Sequence, residues 1–344
     1  MSNHAADAAT EVFLAYRDLL FTVAYEMLGS ASDADDVLQE AWLRWVAVEL
    51  DQVRNQRAYL IQITTRQALN RLRTTRRRRE EYIGPWLPEP LVTTSDVMDD
   101  IELAESVSIA LMIVLETLSP IERAVFVLRE VFDVTYGEIA AAVDKTPIAV
   151  RQIAHRARRH VEARRPRQRV SPSEARKTLE VFRLAIESGD LTDLITVIAP
   201  EVVLVSDGGG LKQAVLRPIV GADRVIRLFL HGLPKIEGTL TVEHIAVNGN
   251  PALIMRLNGE IDGVLAVRLD DARITGLYYV RNPEKLTRIG SKTLLTHRRR
   301  PVHREASCQY DLEKSQILTE RHVTRDHFSD CAAENVVSGP YKGH

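Results

Sequence analysis

Acidic and amide side chains between residues 33 and 46 are spaced to bind a basic partner. Asp35, Asp36, Gln39 and Glu40 lie about one or two turns apart on one face of a predicted helix, and apolar residues recur at helical spacing on its other face. Ser32 is the expected N-cap of this helix. Carboxylates held in this way orient a cationic partner. Taken alone, the same pattern is equally typical of the solvated face of a small helical bundle.

Two basic segments carry the opposite charge. From Arg54 to Arg79 there are nine arginines and no acid, and from Lys145 to Arg169 there are one lysine, eight arginines and a single acid, Glu162. In a chain whose formal net charge is only −2, this segregation indicates two separate contacts with a polyanion. In the first segment, the candidate contact residues on the outer face of a predicted helix are Arg66, Asn70 and Arg73.

The second basic segment follows the pattern of a helix-turn-helix. A short helix over 135–143, a tight turn at Asp144-Lys145 and a new helix opened by Thr146-Pro147 are predicted. Arginine and glutamine reach base edges in the major groove, so residues early in the last helix are placed to read sequence. The alternative is an ordinary helical hairpin with a solvated basic face. The candidates are Arg151, Gln152, His155 and Arg156 for bases, and Arg158 and Arg159 for phosphates.

The 344 residues suit several domains. The spacing of apolar residues and the positions of proline and glycine predict helical domains over 8–80 and 106–165. A linker over 81–105 that is rich in proline and acids joins them. The acidic part of the linker is interpreted either as a nucleic-acid mimic or as a solvated tether. Helices followed by strands predict an α+β domain over 171–290 with one curved antiparallel sheet, and 291–344 is expected to be disordered. The expected strands cover 202–206, 214–220, 239–247, 252–257, 263–269 and 274–280.

Composition argues against several other classes of protein. There is no apolar run of about 18 residues and no N-terminal signal pattern, so neither membrane insertion nor secretion is expected. Cys308 and Cys331 form no disulfide framework, which favours a reducing cytoplasm. The histidines and cysteines near the C-terminus match no zinc spacing, so no metal site is predicted. The residues of that group are His297, His303, Cys308, His322, His327 and Cys331.

The α+β domain contains no arrangement typical of catalysis. Its candidate acids, Asp207, Asp223 and Asp262, show no pairing with a second carboxylate or with a histidine. Asp207 precedes three glycines, as turn residues often do. We therefore predict no enzyme activity and no cofactor. An isomerase or hydrolase remains an alternative by analogy of fold alone.

Taken in order, residues 33–46, 57–73 and 119–161 resemble regions 2.2, 2.3–2.4 and 4 of bacterial RNA polymerase sigma factors of the extracytoplasmic-function (ECF) class. The resemblance implies that Asp36, Gln39 and Glu40 dock on core RNA polymerase. It also implies that the two basic segments read the −10 and −35 elements of promoter DNA. A stand-alone helix-turn-helix regulator is the alternative.

Three further segments, 82–90, 207–210 and 282–286, resemble signatures of ECF sigma factors that carry a C-terminal SnoaL-like, NTF2-like domain. The implied architecture is multidomain: two all-α sigma domains, a region 2 helical bundle and a region 4 helix-turn-helix, followed by an α+β NTF2-like cone. The resemblance also implies that the fused domain tunes activity in cis. Any small-molecule ligand of that domain stays unknown at this point. The expected regulatory contacts are Trp86, Leu87, Pro88, Asp207, Gly208, Gly209, Gly210, Asn282, Pro283 and Lys285.

Overall fold

The computed structural model describes residues 3–94, 97, 100–164 and 170–297. Its N-terminal half is helical, as the apolar periodicity predicts. A π-helical turn, Val127–Val131, continues the sixth helix. The helices are α1 (Asn3–Leu28), α2 (Ala31–Trp45), α3 (Gln56–Glu80), α4 (Ile101–Ser106), α5 (Ile109–Glu116), α6 (Pro120–Phe126), α7 (Tyr136–Val143) and α8 (Pro147–Glu162).

Local caps set the ends of these helices. Thr135 and Thr146 cap α7 and α8, and Asp144 adopts a left-handed φ of 55° between them, which gives the predicted helix-turn-helix. The prediction for α2 was wrong by two residues. Gly29 ends α1 with a φ of 69° and turns the chain at once, so Ser30, not Ser32, caps α2.

One apolar cluster runs through all of these helices, and the short α4 contributes a single residue, Leu103. It includes Leu20 and Trp45 from the first bundle and Ala124 and Val150 from the helix-turn-helix part. The two predicted helical domains therefore share a core instead of lying apart on a flexible tether. The linker is also partly buried, since Leu87 and Leu91 are at most 1% exposed. This differs from a solvated tether; Asp96 and Asp99 lie outside the described residues.

The C-terminal part is α+β, as predicted, but its sheet is mixed. The sheet order is β2-β1-β6-β5-β4-β3, and β1 runs parallel to β6 while the other pairs are antiparallel. The strand expected over 214–220 shrinks to two residues, because Pro218 has no N–H to donate to a ladder. The elements are α9 (Pro172–Ser188), α10 (Leu194–Val197), β1 (Ile198–Asp207), β2 (Ile219–Val220), α11 (Ala222–Gly232), β3 (Leu240–Val247), β4 (Asn250–Leu257), β5 (Glu260–Asp270) and β6 (Arg273–Val280).

The two faces of the sheet cover different partners. One face packs on α9 and α11 through Phe182 and Val225. The other face packs on the linker and on α5, through Leu87 and Ile109. The C-terminal domain therefore contacts both the linker and the first helix of the second helical part. In the ranges that the structure describes, no helix combines the length and apolarity needed to cross a bilayer.

Residues 291–297 take part in the fold, contrary to the prediction of a disordered tail from residue 291. Leu295 is 2% exposed and belongs to the helical core cluster. The backbone N–H of Thr296 donates to Thr22 Oγ1 of α1 at 3.0 Å. The rest of the predicted tail, 298–344, lies outside the described residues, together with His303, Cys308, His322, His327 and Cys331.

Candidate nucleic-acid interface and interdomain site

The acidic helix α2 presents a partly paired surface. Arg71 of α3 forms ion pairs with Asp36 at 2.5 Å and with Asp33 at 2.7 Å. Gln39 and Glu40 are exposed. Asp36 is also exposed, although its carboxylate is paired with Arg71. All three predicted docking residues therefore lie on the accessible face of α2, and Gln39 and Glu40 are the two that Arg71 does not pair with.

The outer face of α3 is partly covered by α7. The guanidinium of Arg66 donates to the backbone oxygen of Ala141 at 2.8 Å, and Gln62 donates to the same oxygen at 3.1 Å. Carbonyl oxygens at a helix C-terminus carry partial negative charge, so they are natural acceptors for an arginine. The other two candidates on this helix, Asn70 and Arg73, bond to each other at 3.3 Å and stay exposed.

Helix α8 separates its apolar and basic residues onto two faces. Val150, Ala154, Ala157 and Val161 are buried, which turns the basic face outward. Arg158 is tied to Glu130 by hydrogen bonds of 2.6 and 3.1 Å. The candidates that stand exposed on this helix are Arg151, Gln152, His155, Arg156 and Arg159.

The three signature segments meet around the carboxylate of Asp207, which is fully buried. Its oxygens accept from the Tyr82 hydroxyl at 2.6 Å, the Leu87 N–H at 2.8 Å and the Lys285 ammonium at 2.7 Å. Burial lowers the pKa of Lys285 to about 8, although the charge of Asp207 acts in the opposite direction. A buried ion pair of this kind strongly resists the removal of one partner.

Trp86 is enclosed by cations and by the α1–α2 turn. The Arg79 guanidinium lies 3.8 Å from its ring centroid and the Lys285 ammonium 4.2 Å, so the ring makes cation–π contacts with two positive charges. A Cβ atom at Gly29 would lie 2.6 Å from the Trp86 ring, which requires glycine there. Trp86 therefore joins the end of α3, the start of α2 and the C-terminal domain.

The remaining signature residues lie around the Asp207–Lys285 ion pair. Asn282 donates to the Tyr82 hydroxyl at 2.8 Å. A side chain at Gly209 would overlap Asn282, and one at Gly210 would overlap Ile83. We call this region, where 82–88 meets 207–210 and 282–285, the linker contact. The structure brings together within it Trp86, Leu87, Pro88, Asp207, Gly208, Gly209, Gly210, Asn282, Pro283 and Lys285.

Two features next to the linker contact were missed from the sequence. Glu89 is buried and accepts from the Ala31 N–H at 2.7 Å, which caps α2 from the linker. Arg288 forms an ion pair with Asp35 of α2. The signal for Glu89 was present, because an acid within a proline-rich apolar stretch needs a partner once it is buried.

The three candidate acids of the C-terminal domain do not converge on one site. Asp207 belongs to the linker contact and Asp223 is exposed in the first turn of α11. Burial alone would raise the pKa of Asp262, but hydrogen bonds from Arg281 at 2.8 Å and Tyr279 at 2.6 Å lower it to about 2. A permanently ionised carboxylate held by donors is suited to structure more than to proton transfer.

Comparison with known proteins agrees with the geometry. Residues 12–78 match the Sigma-70 region 2 family and residues 109–161 match the Sigma-70 region 4 family. The chain is 34% identical over 289 residues to the ECF RNA polymerase sigma factor SigJ of Mycobacterium tuberculosis, covering 80% of this chain and 92% of that protein. It is 32% identical over 289 residues to the probable ECF RNA polymerase sigma factor SigI of the same species, covering 83% and 97%. The crystal structure of SigJ aligns with a TM-score of 0.66 and 29% identity, over 83% of this chain and 99% of that one.

Proposed function

Because the chain belongs to the ECF class of RNA polymerase sigma factors, we propose that it binds core RNA polymerase through α2 and promoter DNA through α3 and α8. Both sigma regions are matched in order, which supports this function over that of a stand-alone helix-turn-helix regulator. The exposed residues Asp36, Gln39 and Glu40 supply the polymerase contact. Asn70 and Arg73 join Arg66 at the −10 element, and the exposed face of α8 reads the −35 element.

The observation that carries the proposal further is the contact of α3 with α7. The −10 and −35 elements are about 25 base pairs apart, which is about 85 Å of duplex. Here the −10 helix and the helix-turn-helix touch, with Arg66 bonded to Ala141, and α8 itself is only about 24 Å long. One protein in this arrangement does not reach both elements. We therefore infer that this arrangement is a closed state and that promoter binding requires the two helical parts to separate.

The C-terminal domain is built to hold the closed state. It contacts α1–α3 through the linker contact. It contacts α5 through the face of its sheet that points away from α9 and α11, where Ile109 is buried. Regulation in cis is then a shift between closed and open populations, limited by the contacts that differ between them. If polymerase binds the open form more tightly than the closed form, it shifts the equilibrium toward the open form by the difference between the two binding free energies.

A pull-down with purified core polymerase tests the polymerase contact. The double variant Gln39→Ala/Glu40→Lys changes the two exposed docking residues that Arg71 does not pair with, and it should weaken capture by the polymerase while leaving the fold intact. Glu237→Lys is the matched control, because it makes the same charge change on an exposed residue of the C-terminal domain. Equal capture of the double variant and the control would exclude α2 as the docking surface.

A further inference from the structure

The turn between β3 and β4 is buried in an unusual way. Asn248 and Gly249 have φ values of 53° and 70°, as an Asn-Gly hairpin turn requires. Such turns normally lie at the surface, yet Asn248 is only 1% exposed. The atoms that cover it come from other parts of the chain.

A single amide side chain connects three segments. Asn248 Oδ1 accepts from the Leu91 N–H at 3.0 Å, and Nδ2 donates to the Tyr25 hydroxyl at 2.7 Å and to the Val107 carbonyl at 2.8 Å. Tyr25 lies on α1, Leu91 in the linker and Val107 at the junction of α4 and α5. The Asn248 backbone N–H also donates to the Leu91 carbonyl at 2.8 Å.

The neighbouring residues complete a short strand addition. Val92 pairs with Val247 at the edge of the sheet, which is the mode by which sheet edges recognise extended peptides. The Gly249 N–H donates to Thr93 Oγ1 at 3.0 Å. A Cβ atom at Gly249 would lie 2.7 Å from the Ala104 backbone, so the turn fits closely against α4.

The turn, unlike the linker contact, bonds to both helical parts, through Tyr25 of α1 and through Val107. The linker contact is anchored on α1–α3, because Trp86 packs on Gly29 and Arg79. Arg288 bonded to Asp35 reinforces the same attachment. The turn also holds Val107, just before the helices α5–α8 that must move away from α1–α3 when the protein opens.

We propose that the Asn248–Gly249 turn is the latch that holds α5–α8 closed on α1–α3, and that the C-terminal domain stays attached to α1–α3 when the latch opens. This deepens the proposed function, on which its regulatory meaning rests. In the closed state the buried Leu91 N–H and Val107 carbonyl have Asn248 as a partner, whereas in the open state they reach water. Removing the amide therefore penalises the closed state selectively.

Distances between labels in the full-length chain test the latch directly. Paired labels at Asp51 and Lys145 report the separation of the two helical parts, and labels at Asp51 and Thr192 report the attachment of the C-terminal domain. All three positions are exposed. Cys308 and Cys331 are first changed to serine so that only introduced cysteines react.

Asn248→Ala should lengthen the 51–145 distance in a larger fraction of molecules and leave the 51–192 distance unchanged. The loss of one or two net hydrogen bonds shifts the closed–open ratio by about tenfold. Asn258→Ala is the matched control, because Asn258 and Gly259 form the same turn between β4 and β5, with φ values of 54° and 85°. Asn258 is exposed and bonds to Thr239 of its own domain at 3.0 Å, so neither distance should change.

An unchanged 51–145 distance in Asn248→Ala would overturn the latch, and lengthening of both distances would overturn the retained attachment. If circular dichroism shows that Asn248→Ala does not fold, Thr93→Val replaces it, since that change removes the acceptor of the Gly249 N–H at nearly constant volume. The measurement needs neither polymerase nor DNA. Its failure is therefore distinct from a failure of polymerase capture or promoter binding.

Discussion

Replacing Asp207 by asparagine should release the linker from the C-terminal domain. Two donors, the Leu87 N–H at 2.8 Å and the Lys285 ammonium at 2.7 Å, point at one oxygen of the buried carboxylate. The other oxygen accepts from the Tyr82 hydroxyl and the Gly209 N–H. An asparagine must place its nitrogen at one of the two positions, where it cannot accept from the donors that the carboxylate oxygen served. Lys285, which is only 12% exposed, would lose its charged partner inside the protein.

The free-energy cost of Asp207→Asn follows from the burial of the Asp207–Lys285 ion pair. Removing one partner of a buried ion pair destabilises by about 3–5 kcal/mol. Because the side chain of Lys285 retains some contact with solvent, the lower end applies, at about 3 kcal/mol. This corresponds to an increase of about 100-fold in the population with a released linker.

Amide hydrogen exchange at Leu87 measures this release, since that N–H is protected by Asp207 itself. Asp207→Asn should accelerate exchange at Leu87 by about 100-fold, while the exposed Asp190→Asn should leave it unchanged. Adding Lys285→Met should restore much of the protection, because the unpaired charge is then gone. Exchange at Leu87 that rises less than about threefold, or a double variant as fast as the single one, would refute the buried-pair argument.

Three other predictions concern DNA, pH and the C-terminal segment. Arg151→Ala should cost about 1–3 kcal/mol at one −35 base pair, and Arg159→Ala should weaken all duplexes alike; equal losses on every duplex for both variants in binding titrations would mean that neither reads bases. Burial raises the pKa of Glu26 from 4.5 to about 8, so the folded state keeps a proton that the unfolded state releases, and stability should fall as pH rises through that window. Glu26→Gln should flatten this decline in urea denaturation, and an equal slope in the variant would contradict the assignment. Deleting 298–344 should leave the urea midpoint nearly unchanged, whereas deleting 291–344 should lower it because 291–297 packs on α1; equal midpoints for the two deletions would show that 291–297 adds no stability.

Helix ends were predictable where the determinants are local. Thr146-Pro147 was expected to open the last helix, and the structure uses Thr146 as its cap, because capping involves only the next three residues. Ser32 failed as a cap for an equally local reason. The turn at Gly29 brought Ser30 into the cap position first, and two serines two residues apart give the same signal.

The sheet was predicted less well because strand pairing is not local. Alternation identified most strands, but nothing in the sequence of β1 specifies that its neighbour is β6, the last strand, in parallel. An antiparallel meander was the simpler expectation for strands joined by short turns. Pro218 was the one available warning that the stretch over 214–220 would not pair along its length.

Short sequence signatures predicted some of the interdomain contacts but not all of them. The segments 82–90, 207–210 and 282–286 were singled out together, and the structure places them in contact. Asn248 was missed although it is as buried as Asp207. The sequence holds the same Asn-Gly turn at Asn258, which is exposed, so only the packing of α1 and α4 distinguishes the two turns.

The linker contact joins parts of one polypeptide, so under the proposed regulation in cis each copy of the protein is synthesised with its own regulator. The effective concentration of a tethered domain is set by the tether, of millimolar order for short ones, and is independent of expression level. Raising the gene copy number would therefore leave the closed fraction unchanged, whereas a separate inhibitor can be titrated away. A physiological signal must act on the contacts themselves, and mutations that weaken them should behave as dominant activators in a cell that also carries the unaltered gene.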